Sequence, residues 1–110
     1  MGDAEVVVVL VTVPDAAVAS RVAQAVVTDR LAACVNVVGP IRSIYRWNGA
    51  VHDDGEYLLI AKTTDDRLAQ FEAGVRALHP YDVPEVVALP VIGGSAAYLS
   101  WVIGAINEEG

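Results

Sequence analysis

The sequence predicts an α+β fold with elements in the order β-α-β-β-α-β, followed by a third helix. Three observations lead there. Runs of β-branched residues alternate with segments whose apolar residues recur at helical spacing. Asn48-Gly49 stands between two strand-like runs, and this dipeptide favours a two-residue hairpin because both central positions need positive φ. Pro40 and Pro90 fall within the second and fourth runs. Proline belongs on sheet edges or at bulges, since it has no donor for a central ladder.

Glu5 to Val13 is nearly all apolar and β-branched, so it reads as a first strand buried on both faces. Pro14 ends it, and Asp15 is placed to cap a helix. Val18, Val22, Ala25 and Val26 give that helix one apolar side, and it should stop near Arg30. Ala33 to Trp47 is a long second strand. Tyr57 to Thr63 returns from the hairpin, with Val51 to Glu56 as its solvated beginning. Thr64 is expected to cap a second helix, with Asp65 and Asp66 in the first turn where the dipole favours negative charge. Leu68, Phe71, Val75 and Leu78 form its buried stripe, and Pro80 stops it. Glu85 to Val91 is the fourth strand. Ser95 caps a last helix that turns Tyr98, Leu99, Val102 and Ile106 inward.

This order is the ferredoxin-like split βαβ arrangement. With prolines marking strands two and four as edges, the strand order is 4-1-3-2. Two helices then cover one sheet face and leave the other open. An open face should alternate apolar with polar residues. Val6–Val11 and Tyr57–Ala61 do not, so a second apolar layer is required. The last helix can supply part of it, and another copy of the chain the rest.

The 110 residues fit one domain, 1–110. Hydrophobic residues make up 55%, more than a small core needs, which again points to a subunit interface. The net charge of −7 argues against nucleic acid or an anionic membrane as partner. One cysteine makes no internal disulfide. The apolar run after Glu5 is too short to span a bilayer, and it follows an acidic start where a signal segment needs positive charge. Gly2 does not mark myristoylation, because position 6 is valine. A cytoplasmic location is therefore expected.

The side chains with chemistry gather in two places. The segment from Leu78 to Glu85 offers an imidazole, a phenol and two carboxylates between two stiffening prolines. The second strand offers Tyr45 and Trp47 on one face. Together with Lys62 these groups can line a cleft. His79 is the candidate metal ligand, since neutral imidazole suits copper, zinc or nickel. Its alternative role is to meet the last carbonyls of the second helix. His52, beside Asp53 and Asp54, reads as a solvated loop residue. Cys34 reads as a small buried hydrophobe. Tyr45 and Trp47 fit either interface packing or a stacking platform, and Lys62 a paired charge near the cleft. Tyr81, Asp82 and Glu85 are the remaining polar groups. No nucleophile elbow, phosphate-binding glycine loop or paired-cysteine zinc spacing is present, so no enzyme is expected.

Val11–Asp15, Arg30–Asn36, Ser43–Gly49, Lys62-Thr63, His79–Glu85 and Tyr98–Trp101 together resemble the CutA family of divalent-cation tolerance proteins. The resemblance runs from about residue 5 to the end. It implies a ferredoxin-like homotrimer, akin to that of the PII signalling proteins, and a response to divalent metal ions. Copper binding is known in some members. His79 matches the histidine of the family's His-Pro-Tyr motif. Some bacterial members add a second histidine before it and a cysteine in the first strand, where this chain has Leu78 and Val11. The resemblance thus implies a trimer that binds a divalent cation, Cu²⁺ first, near His79. The alternatives are a PII-like module holding a small ligand in intersubunit clefts lined by Tyr45, Trp47, Lys62, Tyr81 and Glu85, and a non-catalytic scaffold.

Overall fold

Val6–Val13 forms the first strand, β1, in the computed structural model, which describes residues 4–108. Met1 to Asp3, including Gly2, lie outside the described residues. Helix α1 spans Ala16–Thr28 and starts where Asp15 accepts a hydrogen bond from Val18 N–H at 2.8 Å. It stops before Arg30, whose φ of 58° leaves helical geometry. Strand β2 is Cys34–Trp47 and β3 is Ala50–Thr64. Asn48 and Gly49 join them with φ values of 51° and 77°, as a type I′ turn requires. The section from Val51 to Glu56 is fully formed strand. Helix α2 is Leu68–Leu78, β4 is Val86–Pro90 and α3 is Ala96–Asn107.

The expected cap at Thr64 takes another form. Asp65–Arg67 make a 3₁₀ turn before α2, and the Thr64 hydroxyl donates to the Asp66 carboxylate instead of receiving a backbone N–H. Pro80 acts as expected: His79 is already extended, with ψ of 133°. Ser95 caps α3 by accepting from Tyr98 N–H. Val102 and Ile106 are buried as expected, whereas Tyr98 lies 42% exposed. Its phenol reaches the Sγ of Cys34 at 3.4 Å and cannot also enter the core.

The strands lie in the order β2-β3-β1-β4, which read from the other edge is 4-1-3-2, and all neighbours are antiparallel. Pro40 and Pro90 therefore sit on edge strands. The register of β2 shifts between Val38 and Ile41, where the Gly39-Pro40 bond is cis. Gly39 is required there: a Cβ would stand 2.4 Å from the Tyr57 ring.

Val7, Val9, Val11, Val13, Leu59 and Ala61 face α1 and α2 in one core with Val22, Val26, Phe71 and Val75. Burying a side chain such as Phe71 contributes about 1.5–3 kcal/mol. On the opposite face α3 contacts β1 and β3 and covers one end of the sheet. The rest stays open. Val38, Val87 and Leu89 are 42–46% exposed there, beside half-buried Val8, Leu10, Leu58 and Ile60.

Candidate functional site

The β2–β3 hairpin outruns β1. Strand β1 pairs with β3 only from Tyr57 onward, so Ala50–Glu56 and their β2 partners project beyond it. Tyr45 and Trp47 stand two residues apart on this projection and share one face. The connection from α2 to β4, residues 79–85, runs past the same end of the sheet. Between them lies a cleft of about 500 Å³. Tyr45, Trp47 and Thr12 form one wall. Pro80, Tyr81, Asp82, Val83 and Glu85 form the other.

Each phenol is held by a carboxylate on β3. Tyr45 Oη donates to Asp54 Oδ2 at 2.5 Å, and Tyr81 Oη donates to Glu56 Oε2 at 3.0 Å. Glu56 is only 7% exposed. Burial, reinforced by the Glu56 hydrogen bond, pushes the Tyr81 hydroxyl up to about 12. The Asp54 hydrogen bond raises that of Tyr45. Both phenols thus stay neutral donors to their carboxylates. On the other side of the hairpin, Arg42 and Asp53 form a bidentate pair closing at 2.6 Å, and the guanidinium holds Asp53 below the usual carboxylate range. That pair is solvent-exposed.

His79 lies behind the second wall, 8% exposed. Its Nε2 donates to the Thr12 carbonyl at 2.7 Å, and its Nδ1 accepts from the Tyr81 N–H at 3.2 Å. The two partners fix the neutral Nε2–H tautomer. The ring also packs on that of Tyr81, centroids 4.7 Å apart. Both nitrogens are therefore engaged inside the chain. Among the described residues no three His, Cys, Asp or Glu side chains converge as a metal site requires. The residues present do not fit a metal centre within one subunit.

The fold brings together Tyr45, Trp47, Tyr81, Asp82 and Glu85, and sets His79 directly beneath them. Within one subunit it does not bring Lys62 to them. Lys62 pairs with Cys34 and donates to Asn36 Oδ1, about ten residues along β3 from His52, the partner of Tyr45. At about 3.3 Å per residue this is far beyond the reach of its side chain. His52 is a strand residue, not a loop residue: its ring stacks on Tyr45 at 5.3 Å and 16°. Cys34 is half-buried against Tyr98, which fits a packing role. Thr12, Glu56 and Asp54 belong to the site although no motif in the sequence points to them. A lone glutamate between the polar and apolar halves of β3 was the one available sign.

No described helix is long and apolar enough to cross a membrane. The CutA1 divalent ion tolerance protein family model matches residues 7–105. The "Divalent-cation tolerance protein CutA" of Thermus thermophilus is 53% identical over 95 residues, 86% of this chain and 92% of that protein. "Protein CutA 1, chloroplastic" of Oryza sativa subsp. japonica is 46% identical over 103 residues, 94% of this chain. The match spans only 58% of the rice protein's own length. A solved structure of the divalent cation tolerance protein Cut A1 from Thermus thermophilus superimposes with a TM-score of 0.89 at 50% identity, over 91% of this chain and 97% of that one. The family model and both Thermus thermophilus matches are named for divalent-cation tolerance and not for a reaction. The extended hairpin, the edge prolines, the His-Pro-Tyr segment and these matches agree: the chain belongs to the CutA1 divalent ion tolerance protein family.

Proposed function

We propose that the protein is a non-catalytic, cytoplasmic homotrimer of ferredoxin-like subunits that serves divalent-cation tolerance by receiving a small ligand. The ligand site is the cleft walled by Tyr45, Trp47, Tyr81 and Glu85, in the manner of a PII-like regulatory module. One observation carries the reading. Three aromatic side chains surround a space of about 500 Å³, within the usual range for a small-molecule site, while His79 has both nitrogens engaged. The trimer is supported by the uncovered apolar face around Val38, Val87 and Leu89, which water alone should not cover. In an assembly that buries this face, the projecting hairpins come to lie at subunit boundaries.

A second reading keeps the metal itself as ligand. Asp82 and Glu85 line the cleft and the chain is acidic, which favours a cation. Cu²⁺ at His79 would require the imidazole to release either Thr12 or the Tyr81 N–H. Calorimetric titration with Cu²⁺ separates the two readings. If the cleft is the functional surface, His79→Gln leaves any Cu²⁺ binding in place. A tight Cu²⁺ site that disappears in His79→Gln would establish the second reading instead.

A further inference from the structure

Lys62 and Glu85 are opposite charges at opposite ends of the sheet's open face, the face that the homotrimer reading covers. Lys62 pairs with Val8 and Cys34, so it points to the same side as Leu58 and Ile60. It is half-buried, and its ammonium donates to the neutral amide oxygen of Asn36. Arg42 and Arg46 alternate with Tyr45 on β2 and point to the other side. Among the described strands, Lys62 is therefore the one basic residue on the open face. Glu85 directly precedes β4, in step with Val87 and Leu89, and lines the cleft with Thr12. It is exposed in the single chain. Among the described residues the ion pair is Arg42–Asp53, so neither Lys62 nor Glu85 has a partner of opposite charge there.

These charges cannot meet within one subunit. Lys62 is level with Leu89 across β1, since both pair with Val8. Glu85 lies about four residues farther along, roughly 13 Å at 3.3 Å per residue, and two strand spacings to the side add roughly 10 Å. An ammonium covered by an assembly is costly when its one partner is a neutral amide, and a carboxylate offsets that cost. A closed trimeric ring supplies the geometry. Its contacts are heterologous, so a patch of one subunit meets a different patch of the next. The hairpin overshoots β1, which leaves the cleft end of each subunit as the part that extends beyond its own sheet. We propose that Lys62 reaches across the boundary, pairs with Glu85 of the partner subunit and completes the cleft there. The inference rests on the homotrimer reading and adds to it the residue that crosses between chains. The cleft is then a composite site, with an ammonium from one chain beside the carboxylate and aromatic rings of another.

Zero-length carbodiimide coupling tests this, because it joins an amine to a carboxylate only where the two touch. The full-length protein is first sedimented to establish its mass in solution. It is then coupled, the covalent dimer is isolated on a denaturing gel, and its linked peptides are read by mass spectrometry. The proposal expects a Lys62–Glu85 linkage in the dimer. Glu85→Gln should abolish it, and Glu72→Gln, which removes an exposed carboxylate on α2, should not. Charge reversal gives a second readout. Lys62→Glu should raise the concentration at which the assembly dissociates at least roughly tenfold, and adding Glu85→Lys should recover most of the loss. A trimer in which Lys62 couples to no other chain, or to a carboxylate other than Glu85, overturns the proposal and leaves the trimer reading standing. A chain that sediments as a monomer overturns both. If Lys62→Glu does not fold, the coupling result on the unmodified protein decides alone.

Discussion

The His79 imidazole and the Thr12 carbonyl meet at 2.7 Å although 67 positions separate them in the chain. This bond ties the end of β1 to the start of the 79–85 connection. The same ring receives the Tyr81 N–H on its other nitrogen. His79 therefore sets where Tyr81 stands and, through Tyr81, the second wall of the cleft. It acts on the site as a positioning residue.

His79→Ala should destabilise the assembled protein by about 1–3 kcal/mol, the cost of leaving the part-buried Thr12 carbonyl and Tyr81 N–H without their partner. His79→Gln should cost less, because its amide can still donate toward Thr12. Urea denaturation followed by circular dichroism measures both. Equal losses would assign the effect to ring packing and not to the two bonds.

Gly39→Ala should destabilise by about 1–3 kcal/mol through overpacking. The new methyl would overlap the Tyr57 ring, which sits on β3 where β1 begins to pair. The second substitution Tyr57→Leu should recover part of the loss, a coupling that a double-mutant cycle reads directly. Full additivity would show that the two residues do not oppose each other.

Tyr81 predicts a pH dependence at the alkaline end. Its hydroxyl ionises near 12 in the fold and near 10.0 when free. Between these values the folded state holds a proton that the unfolded state has lost. Stability must then fall as pH rises through this window, and the contribution is intact below about pH 10. Comparing denaturation midpoints at pH 9 and pH 11 should show a smaller drop in Tyr81→Phe than in the parent. An identical drop would remove Tyr81 from the explanation.

Asp15→Ala should cost about 1 kcal/mol, since the carboxylate satisfies the Val18 N–H at the start of α1. Asp15→Asn should restore most of it. Thermal unfolding of the pair checks this, and equal losses would mean that charge, not capping, is what Asp15 supplies.

The strand order was legible because prolines and a hairpin dipeptide are local signals with strict backbone meaning. Asn48-Gly49, Pro40 and Pro90 each act through their own φ or their own missing donor. The helix starts at Asp15 and Ser95 were legible for the same reason. Thr64 was not: its hydroxyl had a competing acceptor in Asp66 two residues on, and sequence cannot weigh two short-range partners against each other. The site was half legible. Tyr45 and Trp47 share a face by strand alternation, and Tyr81, Asp82 and Glu85 share a short connection. Within one subunit Lys62 lies at the far end of β3 from the cleft, since proximity to a strand end says nothing about which end the cleft occupies. The role of His79 was hidden because its partner, the Thr12 carbonyl, is a backbone atom that no residue type announces.

Whether the protein works through its aromatic cleft or through an imidazole metal centre is decided by a thermal-shift screen. Small molecules and divalent ions are screened on the parent, Trp47→Ala and His79→Gln. A working cleft requires at least one small molecule that stabilises the parent but not Trp47→Ala. Stabilisation by Cu²⁺ alone, retained in Trp47→Ala and lost in His79→Gln, would contradict it.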